Sequence, residues 1–311
     1  MKFYLGSPSN WLWNGTMNRP LFVSHARLRT RRSTFPRATV PFWALDSMGF
    51  TMLRDYGRWI VTPREYVEAV IRYDQEIGRL DWAAPQDHMC EREIIEGGWW
   101  GGKNYAGTRH YLDLERRLTY EELVGEHQRL TVVNFLELET LWEEYRAQGE
   151  CRRDSPFRPV LQGKPGNVAS YRRHAGMYED VGVRLADYPV VGVGSVCRLQ
   201  AEPVIRHLAR GLSGLGLNLH WFGLKLSGLP EVWPDIYSCD SAAWSAAARR
   251  EARLPGCTHV RVRGRYAGQP STCANCPRRA DSWACQVNNL IMSLERRGYQ
   301  DALFSLDPAA A

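Results

Sequence analysis

FWALDSMGF (42–50) decides how this chain is read. An apolar, β-prone run stops at Asp46, and a turn opens with Ser47, Met48 and Gly49. The same punctuation recurs: WAAPQD places Asp87 after such a run, PVLQG places Gln162, and IYSCDS places Asp240. In a barrel of parallel strands these C-terminal ends converge on one mouth, where the chemistry is done. Working outward, eight β-prone runs are found: FYLG (3–6), LFVSH (21–25), FWALD (42–46), DWAAPQD (81–87), FRPVLQG (157–163), VVGVGSV (190–196), LHWFGLK (219–225) and IYSCD (236–240). Most are too apolar to alternate, as expected of strands covered on both faces.

Helical patterns separate the later runs. Residues 62–78 begin with Thr62 as cap, Pro63 at the first helical position and Glu65 to complete a capping box. Further helices are predicted over 121–146, 168–182, 202–216 and 241–254. This alternation predicts an α/β fold, a (β/α)8 TIM-like barrel forming a catalytic domain over residues 1–254. The first two connections are irregular. Residues 255–311 fall outside the pattern and are expected to form a metal-binding segment and a C-terminal helix (283–298) packed on the barrel. The closing DPAAA reads as a frayed tail. Residues 93–120, with EGGWWGGKNYAGTRH, read as an irregular insert after Asp87, a lid or a base-stacking loop.

The composition narrows the class. No apolar run approaches the roughly 20 residues that span a bilayer, so no membrane association is expected. The N-terminal MKFYLGSPSN has no long apolar stretch of the secretory kind, so a cytoplasmic protein with reduced thiols is expected. Net charge is +6, and 36 of the 40 basic residues are arginine. Five of them, Arg27, Arg29, Arg31, Arg32 and Arg37, stand in HARLRTRRSTFPR (25–37) without one acid. A solvated loop would look the same; a phosphate-contacting arm is the favoured reading, because the run directly follows a strand end. Lys225, closing the seventh run, is a further candidate contact to phosphate or substrate.

Cys273-Ala-Asn-Cys276 is a CxxC pair, and Cys257-Thr-His259 stands upstream. Zinc takes four sulfur or nitrogen ligands in a tetrahedron, often in close pairs. A CxxC alone fits a redox pair equally well; the upstream Cys-x-His favours a closed, structural zinc site, with Cys285 as a possible replacement for one ligand. The other cysteines read as buried thiols.

The ordered set WALDSMGF, WAAPQDHMCE, PVLQG, VGVGSVCR, DSAAWS and CANC resembles the tRNA-guanine transglycosylase superfamily, and within it the DpdA family of DNA-modifying proteins. The resemblance covers about residues 1–285. It implies exchange of guanine in DNA for a 7-deazaguanine base, such as 7-cyano-7-deazaguanine. It implies Asp240 as nucleophile and Asp46 as general acid/base. Asp87, Gln162 and Gly163 would bind the base, with Gly192, Gly194 and Ser195 offering contacts from a strand end. It also implies DNA as partner, accessory modification proteins, and a bacterial or phage-infected cell as setting. Two departures stand out: Met48 occupies the first glycine of the family's DSGGF, and C-x-H…C-x2-C replaces its C-x-C-x2-C…H.

The residue types suit that chemistry. One carboxylate can attack an anomeric carbon while a second protonates the departing base. An aspartate and an amide match a guanine edge. Taken singly, each is also an ordinary turn residue or helix cap. A tRNA-directed enzyme, a barrel glycosidase or nucleosidase, and a noncatalytic nucleic-acid-binding subunit are the competing classes.

Overall fold

The computed structural model describes residues 1–305 apart from 114, 200 and 225. Lys225 and the DPAAA tail therefore lie outside the described residues. In chain order the elements are β1 (Lys2–Gly6), β2 (Leu21–Ser24), β3 (Trp43–Asp46), α1 (Gly49–Tyr56), α2 (Pro63–Glu76), β4 (Leu80–Ala83) and α3 (Arg92–Glu96). A hairpin, β5 (Gly98–Trp100) and β6 (Lys103–Tyr105), precedes α4 (Arg109–Leu112) and α5 (Tyr120–Ala147). Then follow β7 (Val160–Leu161), α6 (Val168–Asp180), β8 (Val191–Val193), α7 (Glu202–Ser213), β9 (Leu219–Trp221) and α8 (Leu229–Val232). The chain ends with β10 (Ser238–Ser241), α9 (Ala243–Ala248) and α10 (Pro277–Ser305).

Eight strands form one parallel sheet in the order β4-β3-β2-β1-β10-β9-β8-β7. The sheet curls shut. Ala83 at the end of β4 bridges Phe157 in parallel, its N–H donating to Pro156 O at 2.9 Å and its carbonyl accepting from Arg158 N–H at 3.1 Å. All eight strands fall within the apolar runs marked from sequence, allowing a residue or two at the ends.

Alternation sorts the side chains. Leu5, Leu21, Val23, Trp43 and Leu45 face outward into the layer shared with the helices. Tyr4, Phe22, Ala44 and Trp82 face inward and make a separate aromatic cluster. His220 and Phe222 join it, with Trp82 and His220 rings 4.8 Å apart. Asp240 pairs laterally with inward-facing Tyr4, and Asp46 lies two residues beyond inward-facing Ala44. Both carboxylates are thereby fixed to the inside, above an aromatic floor.

The helices follow local signals where these are strong. Thr62 and Glu65 form the capping box of α2, and Thr119 and Glu122 form another at α5. Three expectations need correction. The helix predicted over 241–254 stops at Ala248, because 249–272 leaves to form the cysteine-bearing loop. The last helix starts earlier and runs longer than predicted, from Pro277. The insert read as irregular over 93–120 carries regular elements, the β5–β6 hairpin and α4, and Gly101 and Gly102, at φ 54° and 76°, turn the hairpin as two left-handed residues can.

No α-helix joins β1 to β2 or β2 to β3. α10 covers that side. Trp283 packs on Phe3 with rings 5.8 Å apart, and Arg19 from the β1–β2 connection pairs with Asp281. Ala280, Ala284, Val287 and Ile291 of α10 share the core of the barrel. No helix among the described residues is long and apolar enough to cross a membrane.

Candidate active site

A cavity of about 330 Å³ opens at the C-terminal ends of the strands. Asp46, Asp87, Gln162, Gly194, Ser195 and Asp240 line it, drawn from five strand ends. Phe22, Phe50 and Phe222 supply apolar wall, and Arg27 is the cation among the described lining residues. The volume lies at the low end of small-molecule sites and suits one bicyclic base.

Each polar group has a distinct setting. Asp46 ends β3. Burial pushes its carboxyl up to about 6, against hydrogen bonds from Ser24 and from the Met48 N–H; the neighbouring Asp240 charge pushes the same way as burial. Asp87 is pushed up to about 7, first by burial and then by the Asp46 charge, while the bond from Gln162 opposes. Asp240 Oδ1 accepts the Gly223 N–H at 2.8 Å, and His220 Nε2 stands 3.5 Å away. His220 is fully buried, its Nδ1 engaged with Ser238 Oγ at 2.9 Å.

Gln162 is clamped on every side. Its N–H donates to His174 Nδ1 at 2.7 Å, and its carbonyl accepts from Gln128 Nε2 at 2.7 Å. Burial lowers His174 to about 3, which keeps that ring neutral and able to accept. The Gln162 side chain donates to Asp87 and meets Ser195 Oγ. Gly194 is required by this arrangement: a Cβ there would sit 2.0 Å from Gln162 Nε2. Gly163 and Gly192, candidate base contacts by resemblance, do not line the cavity. They are small for packing, since a Cβ would meet the Tyr171 ring at 2.5 Å and the Phe222 ring at 2.6 Å respectively.

Two non-glycine residues beside the carboxylates hold left-handed backbone. Met48 has φ 67° and Ser195 has φ 54°. Position 48 thus keeps the conformation that a glycine adopts freely, while its side chain is buried in the core. Such strain tends to collect at functional sites.

The arginine run divides. Arg27 reaches the cavity, and Arg29 and Arg32 are exposed. Arg31 turns inward: it donates to Ser33 and Thr34 carbonyls and lies over the Trp13 and Phe35 rings. Through Nε and Nη2 it braces the loop, a role that spacing cannot show. Sequence reasoning also missed Ser24, Gly223 and Glu91, which line the cavity. Glu91 had a faint signal, four residues after Asp87 in the same motif, but a carboxylate before a short helix reads as a cap. The hairpin leaves Trp99 and Trp100 exposed, 74% and 40%. Its base is tied to the cavity loop through Arg198, which bonds Tyr105 Oη and Glu93 and lies 4.8 Å over the cavity-lining Phe50.

Below α9, Cys257, His259, Cys273 and Cys276 bring one ligand atom each within 4.8 Å of one another. Cys257 and Cys276 sulfurs are 3.8 Å apart. Thiolates bound tetrahedrally at about 2.3 Å would be separated by about that much. His259 Nε2 is buried without a partner among the described residues, and Leu254 N–H points at Cys273 Sγ. A metal ion fits this donor set. Cys285 lies outside it, exposed on α10.

No curated protein matches the chain. Two structures of the carboxyl transferase domain from Rhizobium etli pyruvate carboxylase, with 3-bromopyruvate and with pyruvate, are similar over 77% of this chain and 39% of theirs. Identity is 10% and the TM-scores are 0.30 and 0.29, too low for any inference. The chain thus spans well under half the length of those structures. A family match, DeoxyPurine in DNA protein A, runs over residues 1–292, from the first strand through every carboxylate of the cavity and the cysteine cluster into α10. The chain belongs to the DpdA family, DeoxyPurine in DNA protein A.

Proposed function

We propose that this protein exchanges guanine in DNA for a 7-deazaguanine base through a covalent aspartyl-glycosyl intermediate. The observation that carries the reading is the convergence of Asp46, Asp87, Gln162 and Asp240 on one base-sized cavity. Asp240 attacks C1′ of the target nucleotide as the C1′–N9 bond breaks. The departing guanine leaves with the bond's electron pair and takes a proton from Asp46. The incoming base then attacks C1′ through N9, gives its proton to Asp46, and releases Asp240 as a carboxylate. The logic is that of a retaining glycosidase with a base in place of water. Asp46, raised to about 6, holds a proton part of the time near neutral pH and suits both directions of transfer. Asp87 and Gln162 read the guanine edge. A duplex target must leave the stack to enter the cavity.

DNA is held through its phosphates by Arg27, Arg29 and Arg32. A second acid-free stretch, residues 252–280, adds Arg261, Arg263 and Arg265 on an exposed loop between the two ligand pairs. Zinc at Cys257, His259, Cys273 and Cys276 is structural, since four protein ligands leave no open position.

The test uses purified protein, labelled guanine, and duplex DNA beside tRNA. Labelled base is expected to enter DNA, and Asp240→Asn is expected to form no covalent adduct and to lose at least about 10³-fold in rate, as for other nucleophile deletions. Entry into tRNA alone would overturn the choice of polymer. Net hydrolysis without base entry would make the protein a nucleosidase. An Asp240→Asn variant with wild-type exchange would remove the mechanism.

A further inference from the structure

Glu91 is used by none of these steps, yet it lines the cavity and is 3% exposed. Its Oε2 lies 3.0 Å from Ser195 Oγ, and its Oε1 is buried without a partner among the described residues. Ser195 Oγ lies 2.7 Å from Gln162 Oε1 and accepts the Cys90 N–H at 2.7 Å. Gln162 Nε2 donates to Asp87 Oδ2. Four side chains thus form an unbroken chain, Asp87–Gln162–Ser195–Glu91, with a carboxyl at each end.

Its protons can be counted. A hydroxyl has one proton to give and two lone pairs to accept with. The Cys90 N–H occupies one lone pair of Ser195. If Ser195 gives its proton to Gln162 Oε1, the contact to Glu91 is satisfied only when Glu91 is protonated and donates. If Ser195 gives its proton to Glu91 instead, Gln162 must turn its NH2 toward Ser195 and its carbonyl toward Asp87. That contact holds only when Asp87 is protonated. With both ends charged, two acceptors face each other in a buried site, which leaves a polar contact unsatisfied and destabilises that state.

We infer that the chain carries one proton shared between its ends, and that Glu91, acting through Ser195, sets which face of the Gln162 amide meets the bound base. Glu91 is therefore a positioning residue. The inference rests on Asp87 and Gln162 reading the guanine edge. Asp87 must be ionised to accept from that edge, so the competent state has the proton on Glu91. Burial favours the neutral form at both ends. The ionisable groups around Glu91 are Asp87 and Cys90 on its own loop, Glu93 on α3, Cys197 and Arg198 after β8, Tyr120 on α5 and Tyr171 on α6. Asp46 acts on the chain through Asp87. Arg198 favours the charged form of Glu91, and Glu93 opposes it.

The test is binding of free 7-cyano-7-deazaguanine by calorimetry across pH, on the full chain without DNA, so no catalysis enters. For the wild type, Kd is expected to rise about tenfold per pH unit once the shared proton is lost, the slope of a single ionisation. Glu91→Gln offers a permanent N–H to Ser195. It should keep wild-type affinity at the optimum and lose that alkaline rise. Titration of the probe itself is common to both proteins, so the difference between them is the signal. Ser195→Ala, with unchanged thermal unfolding as its fold check, cuts the chain. It should bind more weakly, and adding Glu91→Gln to it should change nothing further. An alkaline limb that persists in Glu91→Gln, or is absent in the wild type, overturns the inference and leaves the proposed exchange standing. No binding by wild type at any pH overturns the base-reading assignment itself.

Discussion

Asp46 and Asp87 are costly to keep in this cavity, and the cost has a pH signature. Burial raises both above the ordinary 3.8, to about 6 and about 7. The unfolded chain therefore loses these protons first as pH rises. Their contribution to stability is fully present below about pH 4 and is lost as pH climbs through 6 and 7. Asp46→Asn and Asp87→Asn are expected to stabilise the fold by about 1–3 kcal/mol at pH 8 and by nearly nothing at pH 4. Urea unfolding at the two pH values measures this, and an equal gain at both would reject burial of charge as the cause. The same variants should lose base exchange, the usual opposition of stability and function at a working site. Asp240 was found by the same sequence punctuation, yet its surroundings, the Gly223 N–H and His220, belong to another strand and its turn and are not written near it.

Among the elements, the arginine loop and the β5–β6 hairpin would, under the proposed function, make two different kinds of contact with DNA. Replacing Arg27, Arg29 and Arg32 by alanine is expected to weaken binding to every duplex. It should also flatten the slope of log K against log salt by about one for each phosphate no longer neutralised. Arg31→Ala should instead lower stability by about 1 kcal/mol, because it removes a brace between loop carbonyls and aromatic rings. Trp99→Ala should reduce affinity by about 1–3 kcal/mol with the salt slope unchanged, as stacking on bases carries no counterion release. Binding curves at several salt concentrations resolve the DNA-facing variants, and urea unfolding resolves Arg31→Ala. A salt slope unaltered by the triple variant would reduce the arginine run to a solvated loop.

For the whole molecule, the Cys/His cluster and α10 finish what the strand order starts. The first two strand connections have no helix, and α10, entered directly from the Cys273–Cys276 pair, packs over that side. About one zinc per chain is expected by elemental analysis. Cys276→Ser should lose the metal and lower the unfolding temperature together, whereas Cys285→Ser should change neither. A stable, metal-free wild type would reject the site. By itself the sequence determined the eight strands, the capped helix α2, the long helix α5, and the polar residue at the end of each decisive strand. These are local features: an apolar run and the residue that stops it lie side by side, and strand parity then sends Asp46 and Asp240 inward. The tertiary structure alone decided that Arg31 turns in, that Gly163 and Gly192 are small for packing, and that Glu91 joins the cavity. Glu91 meets Ser195 across 104 residues of chain. That pairing exists only because closure of the barrel sets the end of β8 beside the loop after β4, and nothing near either residue in sequence specifies it.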